Sequence, residues 1–219
     1  HLATGAATTI SSSIPITTGG YQGIALSNPT DHQNAVRVEA RTQDGRIAAA
    51  EGLINPIYLS LPAHAQQVFV NEEWFGSGTL LLNGSLHAVW TDPPAASLSF
   101  RGAVGPSQLV EIGPATAPAT SLWLALAPEQ DPAATRVIRI FGGADDAEVQ
   151  IVYRNAAGST GEAPSVLVTV PAHGTVDVPV PAGPQRVSAE IQAANPVSAR
   201  LEVSGTQDPW SIEARTVPA

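Results

Sequence analysis

Histidines and carboxylate clusters are the residues of this sequence that could do chemistry. His64 closes the run Leu59-Ser60-Leu61-Pro62-Ala63-His64. His173 closes Val168-Thr169-Val170-Pro171-Ala172-His173, 109 residues later. An imidazole at a repeated position could ligate a metal or move a proton. A Pro-Ala-His that ends a strand also puts the ring at a turn, and duplication of the segment accounts for both copies without chemistry.

His1 raises a different question. A free amino group and an imidazole on one residue, joined by a second imidazole, suit copper. His32, His64 and His87 could supply that partner, which would make the chain a copper monooxygenase. Against this, His1 begins a small-residue Ala/Gly/Thr stretch rather than a strand. Ser77, Ser85 and Ser159 sit among glycines without the strand-to-helix context of a nucleophile elbow. Glu72 and Glu73 are adjacent, so on a strand they would face opposite ways and make a poor acid–base pair. Asp31 and the Asp145-Asp146/Glu148 cluster offer oxygens to calcium, but in no EF-hand spacing. A solvated loop explains them. No catalytic residue, cofactor or metal site is therefore assigned.

The elements that would position such groups are strands. Gly and Pro number 19 each, charged residues are only 13%, and no window of helical length shows apolar residues at i, i+3, i+4 and i+7. The net charge of −9 excludes the basic footprint of a nucleic-acid binder and disfavours an anionic membrane surface. All ten basic residues are Arg; with no Lys, lysine Schiff-base chemistry is excluded. Absence of Cys excludes disulfides and thiolate metal sites. Absence of Met suggests a mature exported chain, and no apolar run reaches bilayer-spanning length. An extracellular or cell-surface location is expected, without membrane insertion.

Along the chain, residues 1–9 form an N-terminal extension. Ile10, Ile14 and Ile16 mark a first strand within residues 10–17, and these are candidate subunit-contact residues if the strand pairs with a neighbouring molecule. Tyr21–Leu26 and the alternating Val36/Val38/Ala40 predict strands, and Asp44-Gly45 a hairpin returning through Ile47–Ala50. Asn71–Phe75 suggests a single helical turn, with Trp74 and Phe75 as the candidate exposed anchor. Asn83-Gly84 predicts a hairpin between Thr79–Leu82 and Leu86–Trp90. Trp90 and Trp123 fall in alternating patterns that favour burial.

The second half replays the first. Leu124/Leu126 match Ile14/Ile16, Val149/Ile151 match Val36/Val38, and the Pro-Ala-His copies align. Val197–Ala199 match Leu86–Ala88, and Trp210–Ile212 match Leu98–Phe100. Ordered matches at offsets near 110 point to internal duplication. The expected fold class is all-β, two tandem antiparallel β-sandwich domains over residues 10–112 and 121–219 with a linker at 113–120.

The runs Gly23-Ile-Ala-Leu-Ser-Asn-Pro-Thr30, Asp44-Gly45 and Leu59–His64 resemble immunoglobulin-like or fibronectin-like modules of bacterial exported and cell-surface proteins. In the second half Phe141-Gly142-Gly143-Ala144 replaces Ser27-Asn28-Pro29-Thr30. The resemblance implies a spacer, adhesive or filament-building role and transfers no functional residue. The expected function is a non-catalytic structural module that builds or decorates a surface filament, stalk or layer through self-association or other surface proteins. A carbohydrate-binding or adhesive module with a polysaccharide ligand is the alternative, and the copper enzyme a third.

Overall fold

The computed structural model describes residues 9–14, 20–77, 84–91, 96–103, 109–112, 118–126, 135–155, 165–181, 186–204 and 210–216. The chain divides into two compact units, His1–Ala117 and Pro118–Ala219. Both are built of antiparallel sheets, none closed, and the five-residue α1 (Asn71–Phe75) is the one helix among the described residues. None there is long and apolar enough to cross a membrane.

The first unit contains β1 (Thr9–Ile14), β2 (Gly20–Ser27), β3 (Asn34–Thr42), β4 (Ile57–Leu61), β5 (Gln66–Val70), β6 (Gly84–Trp90), β7 (Ala96–Ala103) and β8 (Leu109–Ile112). They pair as two four-stranded sheets, β1-β6-β3-β4 and β5-β2-β7-β8. Alternation assigns the faces: Val36, Val38 and Ala40 of β3 and Leu86, Ala88 and Trp90 of β6 turn inward. They meet Leu26 of β2, Leu61 of β4 and Phe75 of α1 in one core fed by both sheets, an arrangement compatible with a β-sandwich. Burying each large apolar side chain contributes about 1.5–3 kcal/mol.

The second unit contains β9 (Ala119–Ala125), β10 (Thr135–Gly142), β11 (Ala147–Asn155), β12 (Val166–Val170), β13 (Thr175–Pro179), β14 (Arg186–Ser204), β15 (Trp210–Glu213) and β16 (Arg215–Thr216). Its pairing order repeats that of the first unit. β9, the first part of β14, β11 and β12 follow one another as β1, β6, β3 and β4 do. β13, β10, the second part of β14 and β15 follow as β5, β2, β7 and β8 do. The register agrees as well: Val36 faces Leu59 across β3 and β4, and Val149 faces Val168 across β11 and β12.

This pairing corrects several expected correspondences. Val197–Ala199 lie on β10, where β7 lies on β2, so they do not correspond to Leu86–Ala88. Trp210–Ile212 occupy the place of β8 rather than β7. Leu124 stands where Ser12 does, not Ile14: it is opposite Ala189 as Ser12 is opposite Leu86. The cause is a difference between the units: β14 is one long strand that joins the second unit into a single eight-stranded sheet, whereas in the first unit the sequence Asp92-Pro93-Pro94 falls between β6 and β7, which belong to two separate four-stranded sheets. Consecutive prolines cannot continue a ladder. A second correction concerns Ile47–Ala50. The Asp44-Gly45 turn forms, but the return makes only an isolated bridge, Arg41 to Ile47. The Asn55 side chain takes the place of a strand there, accepting from the Ala40 N–H at 2.9 Å and donating to the Ala40 carbonyl at 2.7 Å. The strand segment Thr79–Leu82 of the hairpin expected about Asn83-Gly84 lies outside the described residues.

In each unit two loops, β2–β3 with β4–β5 and β10–β11 with β12–β13, are bonded to each other. In the first unit the amides of Asn28, His64 and Ala65 donate to the carbonyls of Ala65, Thr30 and Pro62. In the second the amides of Gly142, His173 and Gly174 donate to Gly174, Gly143 and Pro171. His64 and His173 both have φ of 56°, the left-handed conformation that closes this turn. The first unit adds the buried Asn28, whose amide donates to the carbonyls of His32, Leu61 and Pro62 while its oxygen accepts from Thr30. The second unit has Gly142 there, and a Cβ on it would stand 2.1 Å from the Pro171 carbonyl oxygen. One unit bridges the gap with an amide side chain and the other closes it with bare backbone.

Asn28→Ala is expected to cost about 2–4 kcal/mol, because it strands buried carbonyls. Gly142→Ala should be at least as damaging, and both are measured by denaturant unfolding. At His173, Gly or Asn should preserve stability and Val should lower it by about 1–2 kcal/mol. Equal tolerance of Val and Asn would show that the backbone conformation does not matter there.

Candidate functional site

The outward face of β3 and β6 carries a buried polar cluster. Glu39 is buried between Arg37 and Arg41, two residues to either side on the same face. Arg41 Nε donates to its carboxylate at 2.7 Å, and Arg37 Nε lies 2.7 Å from the other oxygen. His87 stands opposite Glu39 and is buried, with its Nε2 2.7 Å from Ser85 Oγ. Serine, histidine and a carboxylate on neighbouring strands are the elements of a nucleophilic triad, but here Ser85 and His87 are both closed off from solvent.

The corresponding positions of the second unit clarify the role. Glu39, His87, Arg41 and Ser85 are replaced by Val152, Glu190, Arg154 and Ser188. Arginine and serine stand at the matching positions of both units, while the carboxylate of the second unit stands on the neighbouring strand. Arg154 donates to Glu190, and Gln192 donates to its other oxygen at 2.9 Å. An ion pair needs only opposite charges in adjacent positions, whereas a triad needs a fixed order. The cluster is a cross-strand charge lattice.

The remaining candidates are dispersed. His64 Nε2 lies 2.9 Å from Asp31 Oδ1 at the exposed turn. His32 is exposed and His173 half-buried. Asp146 is a structural clip, accepting from the Ala172 amide at 2.7 Å, while its backbone carbonyl accepts from Asn195. Glu72 and Glu73 are exposed in the first turn of α1. Among the described residues no group of three or more His, Cys, Asp or Glu is placed to hold a metal ion. His1, Ile16 and Ser159 lie outside the described residues. Ile10 and Ile14 belong to β1, which pairs residue by residue with β6 of its own unit from Thr9–Val89 to Ile14–Gly84.

Trp74, Phe75 and Trp123 depart from their expected placements. Phe75 is fully buried, and Trp74 is half-buried against Phe69 and Phe75, so this pair anchors the unit's own core instead of facing a partner. Trp90 is buried as expected, but Trp123 is 44% exposed, opposite Glu190 on one side and Arg215 on the other. Alternation placed Leu122 and Leu124 inward, which necessarily turned Trp123 out.

The sequence reading also passed over two residues of the repeated strand. Tyr58 on β4 and Leu167 on β12 are each 71% exposed and are separated by the same 109 residues as the two histidines. Both strands are sheet edges with the same alternation of half-buried and exposed residues, ending in buried Leu61 and Val170. The signal was present in the repeat itself, which extends upstream of the Pro-Ala-His.

The Glu190 carboxyl is held below its ordinary value of about 4.5, first by the hydrogen bond from Arg154 and then by that from Gln192. A lowered folded-state value means that its stabilisation is complete above pH 4.5 and is lost as pH falls through the lowered value. Glu190→Gln should therefore flatten the acid limb of unfolding below pH 4.5, measured by urea melts across that range. An unchanged acid limb would exclude Glu190 from the linkage. A scan against protein-family models, a search of curated proteins and a search of solved structures each found nothing that matches this chain.

Proposed function

We propose that the chain is a non-catalytic extracellular structural module, two immunoglobulin-like sandwiches related by duplication, that builds or decorates a surface filament, stalk or layer through subunit contacts. One observation carries this reading: the same strand order, with the same pair of bonded loops, occurs twice in one chain. Repetition multiplies a surface, which serves assembly; the two units differ in polar chemistry at Glu39/Val152 and His87/Glu190 while sharing their strand pairing, which supports a structural role.

A carbohydrate-binding reading is favoured by a different observation. Trp123 is 44% exposed opposite Glu190, which Arg154 and Gln192 hold, so one aromatic ring stands beside hydrogen-bonding groups. That arrangement suits the apolar face of a sugar ring.

Sedimentation velocity over a concentration series, with negative-stain imaging, separates the two. Assembly predicts species that grow with protein concentration. Because each chain carries a net charge of −9, moderate salt should strengthen association by screening repulsion. A strictly monomeric chain whose Trp fluorescence responds to soluble polysaccharide, and loses the response in Trp123→Ala, would replace assembly with sugar binding.

A further inference from the structure

We infer that the free edges of β4 and β12 are the contacts through which copies of this chain associate, each pairing antiparallel with the same edge of a second copy. The inference rests on the structural-module reading above and names the surface that reading needs.

β4 has β3 on one side and β12 has β11, and among the described residues neither has a strand on the other side. Such an edge directs alternate N–H and C=O groups outward, and only another extended strand satisfies them in series. Proteins commonly protect edges with charge or proline. β8, β13 and β15 carry Glu111, Asp177 with Pro179, and Glu213; β1 and β5 lack both charge and proline, but the matching position to β5 in the second unit, β13, carries both, so only the β4/β12 pair lacks them in both units among the described edges. Ile57-Tyr58-Leu59-Ser60-Leu61 and Val166-Leu167-Val168-Thr169-Val170 carry neither.

The pattern is also self-complementary. Antiparallel pairing centred on Leu59 sets Ile57 opposite Leu61 and Tyr58 opposite Ser60 of the second copy. Centred on Val168, it sets Val166 opposite Val170 and Leu167 opposite Thr169. Apolar residues thus meet apolar residues on the core side, and a large exposed residue meets a hydroxyl on the outer side. No like charges oppose each other. Ile57, Leu59, Val166 and Val168 are only partly buried where they pack on their cores, so an added strand would complete their cover. A second copy is favoured over an unrelated strand because the two units keep the same edge, with Tyr58 and Leu167 equally exposed. A contact of this kind is isologous and places no demand on any other partner.

The test uses the full chain. Tyr58→Lys and Leu167→Lys place charge on exposed positions, where folding should survive and circular dichroism can verify it. Each should weaken association measured by sedimentation by about tenfold or more, and the double variant should be monomeric. The chain has no Cys, so introduced thiols report alone. A mixture of Tyr58→Cys and Ser60→Cys chains should form disulfide-linked heterodimers faster than either forms homodimers, and Leu167→Cys with Thr169→Cys likewise. Assembly that persists unchanged in the folded double-lysine variant, or cysteine pairs that do not cross-link preferentially, would overturn the edge contact while leaving the structural-module reading in place. A wild-type chain that is monomeric at every concentration would overturn both.

Discussion

The hydrogen bonds between the paired loops are the constraint on which both units depend. A sandwich needs its chain to leave one sheet and enter the other, and at each crossing the backbone polar groups lose their ladder partners. In the first unit two crossings, β2 to β3 and β4 to β5, lie side by side and satisfy each other. The geometry requires one residue in the left-handed region, and histidine holds that place in both units. The short turn then ends β4 at Leu61 and sends the chain directly to β5, which leaves β4 as an edge. β12 follows from β11 and the second turn in the same way.

Electrostatics is subordinate to that frame. On the outward face the first unit holds one buried carboxylate between two arginines, and the second holds a half-exposed one against Arg154 and Gln192. An acid on β3, or on β14 in the second unit, can balance the arginine beside it because a cross-strand neighbour is at least as close as a same-face neighbour along a strand. A buried ion pair is a weak source of net stability, but breaking one is costly. The lattice therefore constrains substitution without defining the fold. The Asp44 carboxyl shows the solvent-facing counterpart: hydrogen bonds from Arg46 and then Thr42 lower it to about 2 at the exposed hairpin turn.

Much of the local architecture is legible in the residues. The alternation of Val36, Val38 and Ala40, the turn at Asp44-Gly45 and the helical turn at Asn71–Phe75 all occur where the sequence indicates. The misplacements have specific causes. Ile47–Ala50 has strand composition, but beyond the Ala48 amide's bond to the Ala40 carbonyl the Asn55 side chain takes the Ala40 N–H and the Ala48 carbonyl, so no ladder continues. Matches assigned by constant offset slipped by a strand at Val197–Ala199, because a continuous β14 shortens the second unit where the first carries Pro93-Pro94. Aromatic residues misled in both directions, since Phe75 fills the core from a helix while Trp123 lies on the outer phase of its strand.

By itself the sequence determined the all-β class, the repeated Pro-Ala-His segment and the exclusion of lysine and thiolate chemistry, since period, turn chemistry and residue inventory are local properties of the chain. Tertiary structure decided what those segments face. It showed that the repeated histidines are bent by backbone hydrogen bonds, that Ser85 and His87 lie shut within a charge lattice, and that Tyr58 and Leu167 stand equally exposed on unpaired edges. Such relations join residues far apart in the chain, and an edge exists only once every other strand has found its neighbour.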